Sequence, residues 1–230
     1  MLFTIFLLVF CFLIYLFCLF LLTREDFLLI RKGISTEQIF NYVFLIAFVA
    51  LFSSRLFYVA FNFDKSFLNP LVFLLFTHFP GLSLTGGVIG GGLFSCLLFK
   101  NKNVPLAHGL DLLAISFLGA LTFGSFINLL TTIKTGFPVV LIFPLLSLII
   151  FVSISIIYHK SRAIKDGGVT CLSLILFSVL SFIEAHIFKK SFLLRGDDFL
   201  FLGIIIVSIF IFLIQQKILK LPKRDNKFNL

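Results

Sequence analysis

Tryptophan is absent from these 230 residues, methionine occurs once, and Asp, Glu, Lys and Arg together make up only 13%. A soluble domain carries about a quarter of its residues charged, so this chain has no room for one. The contrast between no Trp and 35 Phe reads as a compositional bias and points to no function. Cys11, Cys18, Cys96 and Cys171 all lie in apolar runs without C-x-x-C spacing. That excludes a zinc ribbon and a disulfide framework and leaves the four as small buried hydrophobes. Strands of alternating polarity are also missing, which excludes a membrane β-barrel. No internal repeat or inverted symmetry of the secondary-transporter kind is present, and no ion ring marks a channel. The net charge of +9 comes from short loops and the tail, not from a basic stripe, so nucleic acid is not an expected partner.

What the chain has in abundance is long hydrophobic runs. With 60% hydrophobic residues and a mean hydropathy of +1.17, it reads as an all-α integral membrane protein forming a single transmembrane domain over residues 1–230. Spans are expected at about 2–22, 39–61, 82–99, 110–133, 138–158, 169–188 and 199–219, a seven-transmembrane helical bundle. The first run lacks a basic leader and a small-residue cleavage site, so it is expected to remain a helix. Ser35 or Thr36 caps the start of the second, with Glu37 in its first turn. Pro70 and Pro80 interrupt the stretch between spans two and three, which is expected on the outer surface or as a re-entrant turn.

Basic residues set the orientation. One side of this frame collects thirteen Lys and Arg, among them Arg24, Arg31, Lys32, Lys100, Lys102 and the tail, against five on the other, Lys65, Lys134, Lys189, Lys190 and Arg195. The expectation is an N-terminus outside and a C-terminus in the cytoplasm.

Within that frame a few polar residues stand out. Arg55 lies inside an apolar run, about 6 residues or roughly 9 Å before its outer end. It either serves an anionic group together with Tyr58, one turn on, or snorkels to the headgroups. The segment LSLTGGVIGGG overlays two small-xxx-small spacings, Gly86 with Gly90 and Gly87 with Gly91. These allow close helix packing, and bare backbone near Thr85 and Gly86 would also admit a ligand. Asp111 reads as a first-turn acid of span four, suited to the helix dipole. Asn128 and Glu184 fall near the outer ends of spans four and six, and Glu184 has no basic residue three or four positions before it. Arg55, Thr85 with Gly86, Asn128 and Glu184 therefore share one depth. A common cavity toward the outer leaflet, with Arg55 and Glu184 as ion pair or phosphate clamp, is the expectation.

In order along the chain, SSRLFYVAF, LSLTGGVIGGG, GALTFGSFIN and FIEAHIFKK resemble the prolipoprotein diacylglyceryl transferase family. The resemblance runs from about Phe10 to Leu213. It implies an enzyme of the bacterial plasma (inner) membrane that moves a diacylglyceryl group from phosphatidylglycerol, or another anionic phospholipid, onto the lipobox cysteine of a prolipoprotein signal peptide. It also implies that neither a metal nor another cofactor takes part. Arg55 and Tyr58 match the family's Ala-Arg-x-Gly-Tyr segment, with Phe57 in place of its glycine. Gly86, Gly87 and Gly90 match the His-Gly-Gly-x-x-Gly signature, with Thr85 at the His position. Gly124, Phe126 and Asn128 are kept from Gly-Arg-x-Gly-Asn-Phe-x-Asn, while Thr122 and Ser125 replace its Arg and first Asn. Pro138 and Leu141 remain of the fifth-span motif, and Glu184 matches the family's glutamate, with Leu180 where an Arg precedes it.

On this resemblance Glu184 and Asn128 are the expected catalytic pair. Arg55, Tyr58, Thr85, Gly86, Gly87 and Ser125 are the expected substrate-binding residues, and His78 is a candidate replacement for the lost His. The alternative is a non-catalytic lipid-binding or scaffolding descendant, since the losses strip polar groups and spare the packing frame.

Overall fold

The computed structural model describes residues 2–24, 26–62, 81–132, 137–160, 166–189 and 196–215, with side chains over 6–24, 26–62, 81–127, 142–159, 166–183 and 198–214. All regular structure among them is helical: α1 (Leu2–Arg24), α2 (Phe27–Arg31), α3 (Thr36–Phe61), α4 (Leu84–Asn101), α5 (Leu106–Thr132), α6 (Phe137–Lys160), α7 (Gly168–Lys189) and α8 (Gly196–Gln215). Four helical stretches among the described residues are long and apolar enough to cross a bilayer: Phe6–Arg24, Thr36–Phe61, Leu106–Ile127 and Ile142–His159. Described apolar stretches in α7 and α8 are shorter, Gly168–Ile183 and Asp198–Ile214. In α4, Lys100, Asn101 and five glycines dilute the apolar character. Phe17, Phe48, Leu93 and Ile206 point outward, each more than 60% exposed, as lipid-facing side chains do and a soluble surface seldom allows.

Helix α5 is the axis of the bundle, packed on α1, α6 and α7 and touching α4. Its Leu112, Ile115 and Leu118 are buried, joining one cluster with Leu19, Val43 and Phe99 and a second with Ile154 and Val169. Small residues let α1 come close. A methyl group on Gly119 would lie 2.9 Å from the Cys18 sulfur, and one on Gly124 would lie 3.0 Å from that of Cys11. Two cysteines two helical turns apart thus pack over two glycines, and Cys11, Cys18, Cys96 and Cys171 are all free thiols. On the other flank, α3 and α4 form the most extensive helix pair, and α7 pairs with α8.

The helix ends follow local chemistry. Ser35 starts α3 by a capping box: its hydroxyl accepts from the Gln38 amide at 3.2 Å, and the Gln38 side chain accepts from the Ser35 amide at 3.2 Å. Asp26 caps α2, accepting from the Leu28 and Leu29 amides at 2.9 and 3.1 Å, and meets His108 Nε2 at 2.6 Å. Burial pushes the Asp26 carboxyl up, but the His108 bond, its charge and the two amides outweigh this and hold it below its ordinary value.

The role of Asp111 differs from the expectation. Helix α5 begins at Leu106, ahead of the apolar run, so Asp111 is past its first turn. Its carboxylate caps α7 instead, accepting from the Gly167 amide at 2.7 Å, the Thr170 amide at 2.7 Å and the Thr170 hydroxyl at 2.6 Å. Gly167 has φ of +89°, a conformation that glycine adopts without steric cost and that turns its N–H toward the carboxylate.

Candidate functional site

The last two turns of α3 and the first turn of α4 are sewn together by a short polar seam. The Ser54 hydroxyl donates to the Ser83 carbonyl at 2.8 Å, and the Ser83 amide donates to the Ser54 carbonyl at 3.1 Å. Ser83 is also the N-cap of α4. Its hydroxyl accepts from the Gly86 amide at 3.2 Å and shares a hydrogen bond with the Thr85 hydroxyl at 2.7 Å. Thr85 and Ser54 are buried with it, so the seam lies inside the protein.

Arg55 occupies the centre of this seam. Its side chain is 0% exposed, covered by the surrounding protein. Nη1 donates to the Gly81 carbonyl at 2.8 Å. The guanidinium carbon stands 5.7 Å from the centre of the Tyr58 ring, within cation–π range. Gly81 lies flat against that ring, where a methyl group would come within 2.1 Å of it. Gly81 lies two residues before Ser83, the N-cap of α4, whose first turn carries the positive end of the helix dipole. A guanidinium tied to the segment that enters a helix N-terminus adds to the positive end of that helix, a setting that suits an anion.

Glycine's other use in α4 is packing. A methyl group on Gly86 would meet Phe57 Cβ at 2.5 Å, and one on Gly90 would meet Ser53 Cβ at 2.3 Å. Gly91 faces Ala50, with 3.1 Å to its Cβ, and Gly87 has ordinary contacts with Ala50 and Ser54. The two overlaid small-residue spacings are therefore the α4 half of the α3–α4 interface. Phe57 and Ser53 fill the space that bare backbone leaves.

The structure thus brings Arg55, Tyr58, Thr85, Gly86 and Gly87 into one neighbourhood. Ser125 is engaged with α6: its hydroxyl donates to the Thr122 carbonyl at 2.7 Å and lies 3.2 Å from the Ser147 hydroxyl. Thr122 bonds back to the Leu118 carbonyl at 2.9 Å. The backbones of Asn128 and Glu184 belong to α5 and α7, and both side chains lie outside the described residues, as does His78 altogether. Sequence reasoning passed over Ser54 and Ser83, although a serine three residues before Gly86 at a helix start carries an N-cap signal. Among the described residues no group of His, Cys, Asp and Glu is arranged to hold a metal ion.

Against known proteins, the sequence model of the prolipoprotein diacylglyceryl transferases matches residues 2–214, almost the whole chain. The chain belongs to that family. Two relatives named as phosphatidylglycerol–prolipoprotein diacylglyceryl transferases agree over part of their length. The one from Enterococcus faecalis is 30% identical over 99 residues, 43% of this chain and 35% of the relative. The one from Streptococcus pyogenes is 33% identical over 102 residues, 43% of this chain and 39% of the relative. The chain thus matches little more than a third of the length of either transferase. No solved structure matches it.

Proposed function

We propose that this protein is a divergent phosphatidylglycerol–prolipoprotein diacylglyceryl transferase, crossing the bacterial plasma membrane seven times with its N-terminus outside. The observation that carries the reading is the buried Arg55 beside Tyr58, at the N-terminus of α4. In a family whose relatives are named for phosphatidylglycerol, the anion that suits this place is the lipid phosphate. In the reaction a lipobox cysteine sulfur attacks the diacylglyceryl carbon and a C–S bond forms. The C–O bond to phosphate breaks, glycerol phosphate leaves, and the thiol proton is taken up by a base. Arg55 holds the phosphate as its charge develops, Asn128 bonds the headgroup, and Glu184 is the candidate base or partner-positioning group. Tyr58 lines the lipid's polar end, and Ser125, bonded to Thr122 and near Ser147, is a further substrate-binding candidate on α5.

The test is purified protein with labelled phosphatidylglycerol and a lipobox peptide. Thioether formation is expected, and Arg55→Ala is expected to slow it by about 10²–10³, the scale of a lost oxyanion donor. Equal turnover in the variant would remove Arg55 from the mechanism.

One observation favours a second reading, a non-catalytic lipid-binding descendant. Thr85, at the family's His position, uses its hydroxyl in the α4 cap with Ser83 and has no proton-transfer capacity near neutral pH. Saturable phosphatidylglycerol binding without any thioether product would select that reading.

A further inference from the structure

The C-terminal end of α4 carries a feature that the transfer reaction does not use. A groove of about 350 Å³ runs along Phe94, Leu97 and Leu98 to Asn101 and Lys102. That volume falls in the usual range for small-ligand sites, about 300–1,000 Å³. Phe94, Leu97, Leu98 and Asn101 follow the i, i+3, i+4, i+7 spacing of one helix face, and the groove surface they line is almost wholly apolar. Leu97 is 63% exposed, which leaves the groove open to the side.

Two exposed lysines stand at its C-terminal end, on backbone that is held by the helix cap. Lys102 is the C-cap of α4, its amide bonded to the Leu98 carbonyl at 3.0 Å, and Lys100 stands exposed in the same turn. Asn103, at φ of +54°, turns the chain so that the Val104 amide closes on the Phe99 carbonyl at 3.0 Å. The sequence has no acidic residue between Asp64 and Asp111, so no carboxylate of this stretch competes for the two lysines.

Depth separates this place from Arg55. The 18 residues of α4 rise about 27 Å, close to the thickness of the hydrocarbon core, about 30 Å. The Arg55 seam sits at one end of that rise and the lysines at the other, so one lipid headgroup cannot reach both.

We infer that this groove binds an anionic glycerophospholipid of the leaflet opposite to Arg55, one acyl chain lying along Phe94, Leu97 and Leu98 and the phosphate held by Lys100, Asn101 and Lys102. Basic ends of apolar grooves at a membrane surface favour anionic over zwitterionic headgroups. This lipid is a resident ligand and does not react, and the inference does not rest on the transfer reading.

The experiment is native mass spectrometry of the full chain in detergent, titrated with phosphatidylglycerol or phosphatidylcholine of matched acyl chains. Preferential binding of the anionic lipid is expected. Lys100→Gln with Lys102→Gln should weaken it by about fivefold per lysine, and Leu97→Trp, which fills an exposed part of the groove, should weaken it independently of charge. Arg55→Ala should leave this binding event in place. Equal uptake of the two lipids, or unchanged phosphatidylglycerol binding in the double lysine variant, overturns the inference. So does loss of the preference in Arg55→Ala alone, which would assign the retained lipid to the other end of α4. Loss of thioether activity with this binding intact would count only against the transferase proposal.

Discussion

A glycine in a membrane helix is judged by what a methyl group in its place would strike, and α4 offers two opposite cases two positions apart. At Gly90 the added carbon would meet Ser53 Cβ at 2.3 Å, while at Gly92 it would meet nothing within 4 Å. Gly90→Ala should therefore lower stability by about 1–3 kcal/mol through overpacking. Gly92→Ala should be neutral or raise it by up to about 1 kcal/mol, through helix propensity. Thermal unfolding in detergent reads both, and Ser53→Gly added to Gly90→Ala should recover part of the loss. Equal effects at the two positions would mean that the α3–α4 contact is not the one described. The spacing of these glycines was visible in the sequence, but the partner helix was not, because small-residue periodicity marks a face and names no neighbour. Arg55 was likewise legible as an oddity inside an apolar run. Its direction depended on the Gly81 carbonyl, 26 positions away, and no local pattern contains that information.

At the scale of elements, the helices themselves were readable because the chain has few ways to satisfy its backbone among so many apolar residues. Their ends were less so. Apolar runs mark where side chains suit lipid, whereas helix boundaries follow caps, and α5 extends back to Leu106 past His108 and Asp111. For that reason Asp111 looked like an acid of its own helix, although it holds the start of α7 through three hydrogen bonds. Asp111→Ala should cost about 0.5–2 kcal/mol, the usual effect of losing an N-cap. Hydrogen exchange locates the change: amides of Gly167 and Thr170 should lose protection while those at the start of α5 keep theirs. Fraying confined to α5 would return Asp111 to its own helix dipole.

The whole molecule combines these local results with a direction across the membrane. Arg24, Arg31, Lys32, Lys100 and Lys102 lie at or just beyond the ends of α1, α2 and α4, on the side away from the Arg55 seam. The C-terminal end of α3 and the N-terminal end of α4 meet at that seam, on the other side. Anchored by its basic residues, the first side is expected in the cytoplasm, where juxtamembrane Lys and Arg are retained. Green fluorescent protein fused after Leu230 should therefore fluoresce, and a single cysteine placed at Lys65 in a cysteine-free background should react with a membrane-impermeant maleimide on intact cells. A cysteine at Lys102 should react only after lysis. The reverse pattern would place Arg55 in the inner leaflet, where an exported lipobox cysteine cannot meet it, and the transferase proposal would fail together with the orientation. The groove at Lys102 would then face outward, yet its preference for anionic lipid would stand, because that preference follows from the lysines and the apolar face alone.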